Sequence, residues 1–235
     1  MSVRAVPDGD ERDKDVANAI RYAVDNGADV INMSFGKGFG THKQLVDEAV
    51  QYAASKDVLL VHAAGNSAQN NDVTTNYPNA KFEKKTGFFF FFLKMDKNWI
   101  EVGALSYNTG EEAAAPFSNY GSTQVDLFSP GMKIYSTMPN NEYAQLQGTS
   151  MASPVVAGVA ATIRSVYPSL TAEQVKEAIM KSVTPLTQMV KLPGSKTDTI
   201  SFSKLSVTGG TVNLDKALQY ASTMKGKKKH SEIKA

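Results

Sequence analysis

Between Asp13 and Asn26, apolar residues recur at Val16, Ala19, Ile20, Ala23 and Val24, the stripe of a helix that stops at Gly27. The chain then changes period. Asp29-Val30-Ile31-Asn32-Met33-Ser34 is a short β-branched run halted by glycines at 36, 38 and 40, and Lys43 to Ser55 returns to helical spacing through Leu45, Val46, Ala49, Val50 and Ala53. Asp57 to Ala64 is a second apolar strand, closed by Gly65-Asn66. This alternation of strand and helix predicts an α/β fold, a parallel sheet with helices on its faces.

The remaining pattern extends that picture. Met1 to Val6 alternates apolar and polar positions into Pro7-Asp8-Gly9, so it reads as a strand entering a turn. Trp99 to Leu105, Val125 to Phe128 and Ile134 to Met138 have strand composition. From Ser150 to Tyr167-Pro168 the chain is apolar on nearly every side, which predicts a helix buried through the core. Thr171-Ala172-Glu173-Gln174 has the form of an N-cap with an acidic first turn, opening a helix to about Ser182, and Asn213 to Ser222 carries a last one.

Ser67 to Asn98 is less regular, polar as far as Pro78 and then lysine-flanked around the phenylalanines 88–92. Identical apolar neighbours have no period, and an exposed run of them invites aggregation, so a variable hydrophobic hairpin or loop is expected there ahead of a ligand role.

With 235 residues and 42% hydrophobic content, the chain suits a single domain with a substantial core. The net charge of +2 changes meaning once the end is examined, since residues 225–235 hold five lysines against one glutamate. The body is near neutral and gives no field that calls for nucleic acid; residues 223–235 read as a basic, disordered tail after a domain spanning 1–222. There is no cysteine for a disulfide framework, and the longest apolar run is too short to span a bilayer. The start does not have the form of a signal peptide.

The strongest chemical signal is Gly148-Thr149-Ser150-Met151-Ala152-Ser153-Pro154, a hydroxyl among small residues where a loop becomes a helix. It is not a Gly-x-Ser-x-Gly elbow, because position 152 is alanine. With Asp29-Val-Ile-Asn-Met-Ser-Phe-Gly and Ala63-Ala64-Gly65-Asn66 upstream in order, and Phe117-Ser118-Asn119-Tyr120-Gly121 and Ser129-Pro130-Gly131 as a lead-in, the sequence from Met1 to about Ala221 resembles the subtilisin-like serine proteases, the subtilases. The resemblance implies a subtilisin-like parallel sheet with helices on both faces, and an amino-terminal part of that fold lying before Met1.

It also implies roles. Ser150 would be the nucleophile at the positive end of a helix, and Asn66 would direct its amide to the oxyanion. Ser34, Phe35 and Gly36 would pair with an extended polypeptide substrate as an added strand, while Ala63, Ala64 and Gly65 would leave room for a side-chain pocket. Each has an ordinary alternative: an N-cap serine, a turn asparagine, a core phenylalanine.

The family's triad runs Asp, His, Ser, and its Asp strand and His-Gly-Thr-His helix do not occur in this sequence. The histidines are His42, His62 and His230. His62 reads as a packed, hydrogen-bonded strand residue, and a serine without a base is a poor nucleophile, so the chain alone is expected to be nearly inactive. Competing readings are a peptide-binding scaffold that has lost its chemistry, and a hydrolase that recruits His62 as base. No cofactor is identifiable. Calcium commonly supports the family, but Glu111-Glu112 reads equally as a solvated turn. The resemblance further implies secretion or a place in the cell envelope.

Overall fold

The structure, a computed structural model, describes residues 1–86, 89–94 and 97–228. Along the chain lie α1 (Asp13–Asp25), β1 (Val30–Met33), α2 (Lys43–Ser55), β2 (Leu59–Ala63), β3 (Lys81–Thr86), β4 (Phe89–Lys94), β5 (Trp99–Leu105) and β6 (Leu127–Pro130). They are followed by β7 (Ile134–Met138), β8 (Glu142–Leu146), α3 (Thr149–Val166), α4 (Ala172–Lys181), β9 (Thr184–Pro185), β10 (Met189–Lys191), β11 (Thr199–Ser201), β12 (Gly210–Thr211) and α5 (Leu214–Ser222).

The central sheet has the order β1-β2-β5-β6-β12-β9 and is parallel except for the β12–β9 pair. Alternation along each strand divides the core into two layers. Leu59, Val61, Ile100, Val102 and Leu127 face α3, α4 and α5, whereas Leu60 and Trp99 pack with α1 and α2. Helices therefore cover both faces, as the alternating pattern predicts. A fully buried side chain such as Val156 or Ile163 on α3 contributes about 1.5–3 kcal/mol relative to exposure.

Helix boundaries follow local chemistry. Thr171 caps α4 in a capping box, its hydroxyl accepting from Gln174 N at 3.3 Å while Gln174 Oε1 accepts from Thr171 N at 3.2 Å. Asn213 caps α5 by accepting from Lys216 N at 3.0 Å. β3 and β4 form an antiparallel hairpin, as expected for that stretch. Phe88 of the phenylalanine run lies outside the described residues.

Three expectations are revised. Met1 to Val6 forms no strand; an alternating pattern needs a neighbouring ladder to become one, and these residues lie instead along a groove beside α1. Helix α3 is not enclosed: Pro154, Gly158 and Ala161 are exposed, and Val155 is 37% exposed. Its open face and the outer edge of β1 border a groove of about 700 Å³ lined by Val30, Ile31, Asn32, Ala157, Gly158 and Ala161. The basic stretch is pinned as far as Lys228: Gln174 Nε2 donates to Lys225 O at 2.8 Å, and Lys228 Nζ lies 3.0 Å from Asp57 Oδ2. Residues 229–235, including His230, lie outside the described residues.

Candidate active site

The site lies where β1, β2 and α3 converge. Gly148 is the N-cap of α3, with φ 149°, so Ser150 is the second residue of the helix and not its cap. Its backbone N–H stands in the first turn, where no intrahelical carbonyl reaches. Pro154 matters here because it has no N–H to give to the carbonyl four residues earlier. Ser150 O is thereby freed, and Ser34 Oγ donates to it at 2.8 Å. Ser34 Oγ also accepts from Asn32 Nδ2 at 2.9 Å and lies 3.1 Å from Ser153 Oγ. In return, Ser150 Oγ donates to Ser34 O at 3.2 Å. The nucleophile loop and the strand expected to receive substrate are bound to each other by their hydroxyls.

Asn66 follows the carboxyl end of β2. Its Oδ1 accepts from Thr149 N at 2.8 Å and from Thr149 Oγ1 at 3.0 Å, and Gly65 N donates to Thr149 Oγ1 at 3.1 Å. Nδ2 lies at the start of α3: a Cβ built on Gly148 would sit 3.3 Å from Asn66 Nδ2 and 3.5 Å from Ser150 N. Two N–H donors thus flank the same small space beside Ser150. Asn66 Nδ2 makes no protein hydrogen bond among the described residues. An anionic oxygen is the group such a pair would receive.

Gly65, with φ 108°, makes the turn between them, and a Cβ there would lie 2.5 Å from Asn119 Nδ2. Gly36 faces Gly65 across the side chain of Asn76, whose amide atoms would be 3.1 Å from a Cβ on Gly36 and 3.4 Å from one on Gly65. Ser34, Gly36, Ala64, Gly65, Asn66 and Ser150 are therefore gathered at one place. Ala63 and Ala64 are buried in the sheet end, and Phe35 is half-buried, packed edge-on to His62 at 6.4 Å. Thr149 and Asn76 are site residues that motif reading passed over, although Thr149 stands beside the nucleophile in sequence.

His62 is fully buried, and both ring nitrogens are engaged. Nε2 donates to Phe35 O at 2.7 Å, since a carbonyl only accepts, and Nδ1 meets Glu101 Oε1 at 2.9 Å. Trp99 Nε1 donates to Glu101 Oε2 at 2.7 Å. This is the packed, hydrogen-bonded strand histidine expected from sequence, and it holds the back of the Ser34–Gly36 segment. His42 bonds Thr41 on the surface at 3.1 Å. No histidine bonds Ser150 Oγ among the described residues.

Calcium, which the resemblance implies, takes oxygen ligands. No group of three or more Asp, Glu or His gathers among the described residues. Glu112 is occupied by Lys191 at 3.1 Å and Asn108 at 2.7 Å, and the hydrogen bond from Lys191 holds its carboxyl below the ordinary value. No helix among the described residues is long and apolar enough to cross a membrane.

Comparison with known proteins adds an independent line. The profile of the subtilase family, Peptidase S8, matches residues 1–212. The chain is 40% identical over 174 residues to subtilisin DY of Bacillus licheniformis, covering 73% of this chain and 55% of that protein. It is 36% identical over 205 residues to thermitase of Thermoactinomyces vulgaris, covering 87% and 59%. The chain thus spans between half and three fifths of the length of these two relatives. Among solved structures, the prenylagaramide maturation protease PagA superposes with a TM-score of 0.69 at 26% identity, covering 93% of this chain and 71% of that one.

Proposed function

The chain belongs to the subtilase family, and from that premise we propose that it carries the nucleophile, oxyanion donors and substrate strand of a serine endopeptidase whose base lies on polypeptide outside these residues. Ser150 Oγ attacks the carbonyl carbon of an extended peptide, and the oxygen that gains charge is received by Asn66 Nδ2 and Ser150 N–H. The base takes the serine proton and returns it to the leaving amine, and water then releases the acyl group. Substrate backbone competes for Ser34 O, which accepts a hydrogen bond from Ser150 Oγ in this structure.

The observation that carries this reading is the fixing of Asn66 Oδ1 by Thr149, which aims the amide N–H groups beside Ser150. The open groove between α1, β1 and α3 supports the external base: it is lined mainly by apolar side chains, borders the exposed stripe of α3, and leaves β1 as an unpaired edge among the described residues. A segment bringing a strand to that edge and a histidine to Ser150 would fill it. Export from the cell is part of the same proposal.

Labelling with a fluorophosphonate tests both parts. Residues 1–235 alone should label slowly, and adding a subtilase segment with an Asp-Thr/Ser-Gly strand and a His-Gly-Thr-His helix should accelerate labelling by orders of magnitude, up to the ~10⁶ that a catalytic histidine supplies in a subtilisin. Ser150→Ala should abolish it. Rapid labelling of the chain alone overturns the external base. No labelling in either case, with a peptide still bound, favours the scaffold reading, for which the bond from Ser150 Oγ to a backbone carbonyl is the supporting observation.

A further inference from the structure

The carbonyl oxygen of Ala64 accepts from three asparagine side chains, Asn71 Nδ2 at 3.0 Å, Asn76 Nδ2 at 3.1 Å and Asn119 Nδ2 at 3.0 Å. A carbonyl has two lone pairs, so one donor more than it needs is aimed at it. Asn71 and Asn119 are 6% and 3% exposed, and Asn119 Nδ2 also donates to Asn71 Oδ1 at 3.1 Å. Asn119 Oδ1 in turn accepts from Ser67 N and Gln69 N, both at 3.0 Å, so one buried amide binds both flanks of the Gly65-Asn66 turn. Side chains from two separate loop segments, 71–76 and 118–119, converge on one peptide group.

That peptide is the one whose other end is Gly65 N–H. It donates to Thr149 Oγ1, and Thr149 Oγ1 donates to Asn66 Oδ1. An amide transmits polarisation between its oxygen and its nitrogen because the two are conjugated. Drawing charge onto Ala64 O therefore makes Gly65 N–H a stronger donor. The Thr149 hydroxyl becomes a stronger donor in turn, and charge drawn onto Asn66 Oδ1 leaves its Nδ2–H groups more positive. Linked hydrogen bonds strengthen one another in this way inside a low-dielectric interior.

We propose that Asn71, Asn76 and Asn119 are positioning residues for the oxyanion donor, acting through a relay from Ala64 C=O to Gly65 N–H, the Thr149 hydroxyl and the Asn66 amide. They touch no reacting atom. Their effect is to fix the turn and to raise the donor strength of Asn66 Nδ2 when negative charge develops beside Ser150. The inference rests on the reading of Asn66 as oxyanion donor.

The magnitude follows from the donor it supports. Loss of such a donor costs about 10² to 10³ in a subtilisin, and cooperative strengthening is about 10–30% per bond. The same fraction of that exponent is about two- to eightfold.

The test compares two probes on the full chain by calorimetry: an extended tetrapeptide boronic acid, and the same peptide as its amide. The boron accepts the Ser150 Oγ lone pair, the serine proton passes to buffer, and the anionic tetrahedral adduct places an oxygen against the donors. The amide reads only ground-state binding. The ratio of the two affinities should fall about two- to eightfold for Asn119→Ala and for Asn76→Ala. In an Asn66→Ala background the same changes should leave the ratio unmoved. Asn76 is less buried than Asn119, so Asn76→Ala decides the matter if Asn119→Ala does not fold. A ratio unchanged by either variant, or a fall that persists without the Asn66 amide, overturns the relay. A wild-type chain that binds the boronic acid no more tightly than the amide even with the base-bearing segment of the labelling test added overturns the reading of Asn66 itself, and the relay with it.

Discussion

Replacing His62 with alanine removes one half of a buried pair and leaves the other half in place. Glu101 is 5% exposed, and with the imidazole gone its Oε1 loses the contact at 2.9 Å while Oε2 keeps only the indole N–H of Trp99 at 2.7 Å. Leaving one member of a buried ion pair uncompensated costs about 3–5 kcal/mol. Against a total stability of about 5–15 kcal/mol, this is a large share. With a urea dependence near 2 kcal/mol per molar, the unfolding midpoint should fall by about 2 M. Trp99 is the single tryptophan and packs against the His62 ring at 5.1 Å with the planes tilted by 43°, so its fluorescence reports the transition, with far-ultraviolet circular dichroism as the second probe.

The decisive comparison is a double-mutant cycle with Glu101→Gln. The amide keeps an acceptor for Trp99 but carries no charge, so His62→Ala should cost about 1–3 kcal/mol less in that background. If the cost is the same in both backgrounds to within about 0.5 kcal/mol, His62 acts through packing alone and the charge argument is refuted. His62→Ala also takes the donor from Phe35 O, so affinity for an extended peptide amide should fall alongside stability.

Acid should act through Asp13 and Asp72. Burial alone would raise the Asp13 carboxyl, but hydrogen bonds from Lys37 and from His42 N–H outweigh it and hold the group below its ordinary 3.8. Asp72 is likewise raised by burial and held below 3.8 by Thr123, Ser122 and Gln124. A depressed pKa stabilises the fold above the unfolded value, and that contribution is lost as pH falls through the folded value. Stability measured by urea unfolding should therefore drop below about pH 4, and Asp13→Asn should flatten that slope. Gly103→Ala would put a Cβ 2.7 Å from the Phe128 ring and should cost about 1–3 kcal/mol, read as a lowered thermal midpoint. Thr171→Ala removes the cap of α4 and should cost about 1 kcal/mol in the same assay.

Much of the architecture is local in origin and therefore legible. The stripe through Val16, Ile20 and Val24 fixes α1 by period, and the run from Leu59 to Ala63, too short for a helix and closed by Gly65, reads as β2. The short strands β9 to β12 were not legible, because two or three residues contain no period to read. β8, with Glu142, Tyr143 and Gln145 exposed, is a strand only because it pairs with β7. Met1 to Val6 shows the converse, an alternation with no ladder to join.

What the sequence by itself determined is the inventory of the site. Ser150 at a loop-to-helix junction, Asn66 after a strand and small residues around both are chemistry written in adjacent positions. What only the tertiary structure decided is how they are held. Ser34 reaches Ser150 O across 116 positions, because a proline four residues on leaves that carbonyl free. Asn66 is aimed by a threonine 83 positions away, and three asparagines meet on Ala64 O. Hydrogen bonds between distant segments depend on where folding brings the backbone, and no local pattern records that destination.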